Sequence, residues 1–135
     1  MATKTKQDQV VDGFVRFTES GEDPDGLLAE DVFADVNVPL WRFQLQGRRA
    51  VADWVKTQLG LGTTSHVERV TFTSNGFVLD THCDIQIPDG TMYCRALYVV
   101  ETTGGKIGEF TLYCTGGWDA DTRERQAAEA PMIRP

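Results

Sequence analysis

Three residues able to move protons stand at alternate positions in one short stretch: Asp80, His82 and Asp84. Alternate side chains of a β-strand share a face and lie about 7 Å apart, so an extended chain here would flank one imidazole with two carboxylates. An unperturbed imidazole has a pKa of ~6.5 and exchanges protons near neutrality, and a nearby carboxylate orients and retunes it. That set points to general acid/base chemistry with His82 carrying the proton. A second imidazole, His66, follows Thr64-Ser65 a little upstream. Ionisable groups on an otherwise apolar face cost stability, which is a mark of sites.

The elements that position these residues follow from turn signals. Ser74-Asn75-Gly76, Pro88-Asp89-Gly90 and Thr103-Gly104-Gly105-Lys106 separate stretches rich in β-branched and aromatic residues between Val67 and Trp118. Short turns force antiparallel neighbours, so the turn centres set a register. Folding about them pairs Phe72 with Val78, Val70 with Asp80, Asp84 with Cys94 and His82 with Ala96. The last turn pairs Val100 with Gly108, Tyr98 with Phe110, Ala96 with Leu112 and Cys94 with Cys114. In that register Asp80, His82 and Asp84 share a face with Phe72, Val78, Ala96, Tyr98, Phe110 and Leu112; a slip of one residue would reverse the assignment. The opposite face carries Leu79, Ile85, Ile87, Leu97, Val99 and Ile107 among Arg95, Glu109, Thr111 and Tyr113. Two apolar faces need two covers. The chain's own helices supply one, and a second copy docking on Leu97, Val99, Ile85 and Tyr113 is the expected other, giving a homodimer through the outer sheet face.

The helical spacing of Val10, Val11, Phe14 and Phe17 predicts an amphipathic helix over Lys6 to Ser20. Asp23-Pro24 reads as a helix start, with a short helix through Glu30, and Val32 to Val38 as a first strand. Val51, Trp54, Val55, Gln58 and Leu59 mark a third helix after Gly47, ended by Gly60 and Gly62. Asp119 to Ala130 reads as a polar final helix, followed by a tail, Met132 to Pro135, apolar enough to dock.

The length of 135 residues suits one domain, with a core over about 7–118 and a C-terminal helix and tail over 119–135. A net charge of −7 with dispersed basic residues disfavours nucleic acid or an anionic membrane surface as partner. No apolar run reaches the ~20 residues of a membrane span, and Met1 to Gln9 is too polar for a signal peptide, which points to the cytoplasm. Three cysteines without C-x-x-C spacing argue against a metal site or a disulfide framework. They read as small buried hydrophobes, although Cys94 and Cys114 can face each other across strands.

Helices first and a curved sheet of long hairpins afterwards is an α+β order, in which helices one and three fill the concave side and leave a pocket at the open end. This order resembles the cone-shaped nuclear transport factor 2-like fold, and its SnoaL-like branch in particular. The residues that carry the likeness are Glu30-Asp31-Val32-Phe33-Ala34-Asp35 entering the first strand, Gly47-Arg48-Arg49-Ala50-Val51 opening the third helix, and Gly104-Gly105-Lys106-Ile107 before the strand ending at Tyr113. Thr64-Ser65-His66 also resembles the Thr-x-His segment of scytalone dehydratase-like and SnoaL-like proteins, where a cavity histidine does acid/base work; the resemblance implies such a role for His66 and a second one for His82. The chain departs from its relatives at other places. No acid near Arg16 matches the aspartate with which those dehydratases orient the histidine. Pro39-Leu40-Trp41 stands where ketosteroid isomerases carry their general base, and Asp80-Thr81-His82 where limonene-epoxide hydrolases carry part of an Asp-Arg-Asp set.

The expected pocket gathers His66, Asp80, His82 and Asp84, with Asn37, Trp41, Trp54, Tyr98 and Phe110 as walls for a flat or polycyclic apolar ligand. The expected function is a cofactor-independent and metal-independent acid/base enzyme, of isomerase, cyclase, dehydratase or hydrolase type, acting on a small hydrophobic compound. The alternative is a non-catalytic binding protein on the same fold.

Overall fold

The computed structural model describes residues 4–134. Helix α1, Lys6–Ser20, starts at a reciprocal cap: the Thr5 hydroxyl accepts from the Asp8 amide, and the Asp8 carboxylate accepts from the Thr5 amide. It buries Val11, Phe14 and Phe17 and stops at Gly21, whose φ of 70° lets its amide reach the Phe17 carbonyl. Strands β1, Leu28–Val38, and β2, Trp41–Gln46, form a hairpin that leads into helix α2, Arg48–Thr57. Strands β3, Thr63–Thr73, β4, Gly76–Ile87, β5, Gly90–Thr103, and β6, Lys106–Cys114, follow, and helix α3, Ala120–Glu129, closes the chain.

The six strands lie in one curved sheet of order β2-β1-β6-β5-β4-β3. All neighbours are antiparallel except β1 and β6, which run parallel and join the N-terminal hairpin to the long meander. Helices α1 and α2 pack on one face. There Phe14, Phe17, Val51 and Val55 meet Leu79, Val100, Phe110 and Leu112, all buried, with Trp54 half-buried beside them. This is the α+β cone expected from the sequence, with one parallel pair added.

Three local expectations change. No helix follows Asp23: its carboxylate accepts from the amides of Leu27 and Leu28 at 2.7 and 2.8 Å, and Gly26 turns the chain at a φ of 63° into β1. Strand β2 was not expected, although Trp41-Arg42-Phe43-Gln44-Leu45-Gln46 alternates apolar and polar residues as an edge strand does. In the tail, Met132 and Ile133 are exposed rather than docked, and Pro135 lies outside the described residues.

The largest correction concerns register. Thr73 pairs with Gly76 and Ile87 with Gly90, so the first two turns are two-residue turns centred between residues, Ser74-Asn75 and Pro88-Asp89. Gly76 is the first strand residue, and it is glycine because a Cβ there would lie 1.8 Å from the Val100 carbonyl oxygen. The half-residue shift of each centre pairs Cys83 with Cys94 and Thr81 with Ala96, which reverses the faces of β4. Phe77, Leu79 and buried Thr81 point to the helices; Asp80, His82 and Asp84 point outward. The third turn, Gly104-Gly105, together with a bulge, shifts the pairing by an even number, so Val100 opposes Phe110 and Tyr98 opposes Leu112 with their faces unchanged. Ile85 consequently lies inside, not on the outer face.

Candidate functional site

The helices and the concave sheet face enclose a cavity of about 300 Å³. Helix α1 contributes Phe14, Phe17 and Thr18, one turn apart on its buried side, and α2 contributes Trp54 and Val55, with Gln58 following at its C-cap. The sheet supplies Ile85, Cys94, Ala96, Tyr98, Phe110, Leu112 and Cys114, while Val38, Gly116 and Gly117 complete the rim. The Phe14 ring meets Tyr98 edge to face at 5.1 Å and Phe110 at 5.4 Å, which fixes the aromatic floor. Trp54 is held by Phe43 at 5.5 Å, so the unforeseen strand β2 backs the cavity wall.

No histidine, carboxylate, lysine or arginine lines this space among the described residues. Its polar groups are Thr18, Gln58, the Tyr98 phenol and thiols. Thr18 is engaged: its hydroxyl donates to the Val15 carbonyl and meets the Ser65 hydroxyl at 3.1 Å. Burial drives the Tyr98 phenol far above its ordinary range, and the nearby Cys83, Cys114 and Cys94 add to the shift, so it stays protonated as a donor. Cys94 and Cys114 hold their sulfurs 3.1 Å apart. The contact with Cys94, helped by burial, keeps the Cys114 thiol protonated. For Cys94 the contact with Cys114 lowers the pKa, but Cys83 and burial outweigh it and push it up to about 11. Cys83 shifts downward through its contact with Cys94, against its own burial.

The ionisable residues singled out from the sequence gather elsewhere, on the outer face. His66 and His82 oppose each other across β3 and β4 with rings stacked at 4.7 Å. His66 Nε2 meets Asp84 Oδ2 at 3.1 Å, and His82 Nδ1 meets the Glu68 carboxylate. Glu68 reaches this position because a bulge between Val67 and Arg69 adds one residue to β3, a device that spacing alone does not reveal. The stack continues through Tyr93 at 5.3 Å from His82 and Trp118 at 5.8 Å from Tyr93, with the Arg123 guanidinium 3.9 Å from the Tyr93 centroid. Asp80 stands one pleat along, between Arg95 at 3.6 Å and Arg69 at 3.8 Å.

The expected cavity set therefore divides. His66, His82 and Asp84 come together with Asp80 next to them, but outside the cavity; Trp54, Tyr98 and Phe110 do line it. Trp41 is 69% exposed on the edge strand, and Asn37 donates to the Leu112 carbonyl from the outer side of β1. Thr18, Gln58 and the cavity thiols were missed as wall residues. Helical spacing from Phe14 signals Thr18, whereas the thiols needed the correct register. Among the described residues, no three His, Cys, Asp or Glu side chains converge as ligands for one metal ion, and no helix is long and apolar enough to cross a membrane.

No protein-family model matches this chain, and no curated protein matches it significantly. Solved structures do. An NTF2-like protein of Anabaena variabilis superposes with a TM-score of 0.65 at 16% identity, covering 86% of this chain and 95% of that one. An LEH-like epoxide hydrolase of M. tuberculosis gives a TM-score of 0.65 at 15% identity, over 94% of this chain and 97% of its own. A protein of Catenulispora acidiphila with a ketosteroid isomerase-like fold, solved with trimethylamine, gives 0.65 at 11%, over 80% and 86%. At these identities the likeness is one of fold. The chain has the NTF2-like fold.

Proposed function

We propose that this NTF2-like chain binds a compact, mostly apolar small molecule that carries one hydrogen-bond acceptor. The observation behind this reading is the composition of the cavity wall: mostly aromatic and aliphatic side chains, the Tyr98 phenol among them, and, among the described residues, no imidazole or carboxylate. A space of about 300 Å³ suits a molecule of one or two rings. The ligand's carbonyl or ether oxygen would accept from Tyr98 Oη while its hydrocarbon body displaces water from Phe14, Trp54 and Phe110. Binding of this kind needs no metal or organic cofactor.

The test pairs a cyclic terpenoid ketone with the hydrocarbon of the same skeleton, titrated by calorimetry. The ketone is expected to bind more tightly, and Tyr98→Phe to erase that preference while leaving the hydrocarbon unchanged. One hydrogen bond of ~1 kcal/mol corresponds to roughly a fivefold preference. Failure of both probes to bind, or a Tyr98→Phe variant that keeps the preference, would refute the reading.

A second reading, acid/base catalysis on a small hydrophobic compound, draws on the outer cluster, where two stacked imidazoles each have a carboxylate partner. It requires a cover, since His66 is 46% exposed. A second copy docked on the outer face through Leu97, Val99 and Tyr113 would provide one, as Val99 and Tyr113 leave apolar surface in solvent. Sedimentation at micromolar concentration should then report twice the 15.0 kDa of one chain, and Val99→Glu should return it to one. A monomer at all concentrations would remove this reading.

A further inference from the structure

The three cysteines stand on three adjacent strands and on the same concave face: Cys83 on β4, Cys94 on β5 and Cys114 on β6. Cys83 is directly opposite Cys94. Cys114 is opposite Ala96, so its approach to Cys94 is diagonal, and the chain beyond it makes that diagonal short. Thr115 still donates to the Arg95 carbonyl, but the next bridge joins Tyr93 to Trp118, so one extra residue is inserted around Gly116, whose φ is 75°. The Gly116 amide meets Cys114 Sγ at 3.3 Å, and the sulfurs of Cys94 and Cys114 are 3.1 Å apart. That separation exceeds a disulfide bond of ~2.05 Å by about one ångström, the movement that bond formation requires. Both thiols line the cavity, and small solutes that enter it meet them.

We propose that Cys94 and Cys114 are a redox-active dithiol in the cavity wall, oxidised by a small peroxide to a reversible intramolecular disulfide. The Cys94 sulfur, whose pKa of about 11 leaves a small thiolate fraction while Cys114 stays protonated, attacks the O–O bond of hydrogen peroxide. It takes one hydroxyl, and hydroxide leaves and is protonated to water. The second thiol then displaces the hydroxyl of that sulfenic acid as a second water, its own proton departing with it, and the S–S bond forms. Two thiols lose two electrons in total and one peroxide is reduced to two waters. A dithiol reductant reverses the step through a mixed disulfide. Cys83 stays a thiol, because the sulfur already 3.1 Å from Cys94 is that of Cys114. Closing the bond removes two thiol groups from the region next to the Tyr98 phenol and ties β5 to β6 at the open end of the cavity. Oxidation thus alters the polar end of the same cavity to which the ligand is assigned, although the chemistry proposed here does not depend on that assignment.

The experiment treats the full chain with one equivalent of hydrogen peroxide, blocks remaining thiols with iodoacetamide, and maps the peptides by mass spectrometry. The expected product has lost two hydrogens, carries a Cys94–Cys114 linkage, is alkylated at Cys83 alone, and returns to three alkylated cysteines after dithiothreitol. Cys83→Ser should give the same linkage; Cys114→Ser should not. Three free thiols after treatment, a Cys83–Cys94 linkage, a bridge between two chains, or stepwise oxygen addition to single cysteines would each overturn the proposal. The readout is a covalent mass and needs no cavity ligand, so a failure of ligand binding leaves it intact and the reverse also holds.

Discussion

The two faces of one sheet divide the chemistry of this molecule. On the concave face Leu79, Ala96, Val100, Phe110 and Leu112 meet the helices and enclose a cavity whose wall, among the described residues, holds no charged side chain. On the convex face, one pleat away, Asp80, His82, Asp84, Arg95 and Glu68 gather around stacked rings open to solvent. The difference shows how solvation selects position. A charge inside the cone would lose its water with no partner to replace it, while the same charge outside keeps water and finds a counter-charge. Acid/base side chains close in sequence therefore mark where the sheet meets water as readily as they mark a catalytic pocket.

Substitutions can break this contrast, and the inner face should respond most. Phe14→Ala removes a fully buried ring that four aromatic neighbours contact, and urea unfolding should show a loss of about 3–5 kcal/mol. A loss under about 1 kcal/mol would mean that the floor of the cone is not packed as described. Gly76→Ala tests the register itself. A methyl there must displace the Val100 backbone, and a destabilisation of about 1–3 kcal/mol is the magnitude typical of overpacking. If alanine is tolerated without cost, Gly76 is a turn residue after all, and the faces of β4 need reassignment.

The outer face should respond weakly. His82→Ala removes a partly exposed imidazole and its Glu68 partner's bond, so its stability cost should stay within ~1 kcal/mol, as for other surface pairs. A loss as large as that of Phe14→Ala would show that His82 is inside. Two carboxylates give the smallest effects and opposite signs. The Arg42 guanidinium bonds Asp35 across β1 and β2 and lowers its pKa; its contribution to folding is present above the unfolded value and is lost as pH falls through the folded one. Glu101, directly opposite Glu109 on β5 and β6, raises the pKa of Glu109. Ionised Glu109 therefore opposes folding above its raised value, and that opposition disappears as pH falls through it. Carboxyl resonances followed by NMR should titrate below the ordinary range for Asp35 and above it for Glu109. Arg42→Ala and Glu101→Gln should return each toward normal, and the same direction of shift for both residues would contradict the geometry.

Element identity was largely legible in the chain. Val11, Phe14 and Phe17 announce α1, and Val51, Trp54 and Val55 announce α2, because a helix exposes its burial pattern every three to four residues and an error of one position rotates the pattern without destroying it. The long strands and their three turns were equally plain. Trp41 to Gln46 alternates as a strand does, but Trp41 reads as a pocket wall and masks that pattern. Asp23-Pro24 suggested a helix because a cap is a local signal, and Gly26 overrode it two residues later.

The sequence by itself determined the helices, the meander and the apolar content that make an α+β cone, since these rest on local periodicity and on turn residues. Only the tertiary structure decided which way His82 faces, that Glu68 joins it, and that Cys94 and Cys114 meet. A strand's faces alternate with every residue, so a half-residue shift in a turn centre, or one residue added by a bulge, exchanges inside for outside. Gly76 against Val100, and the extra residue near Gly116, are contacts between strands distant enough in the chain that no local pattern records them.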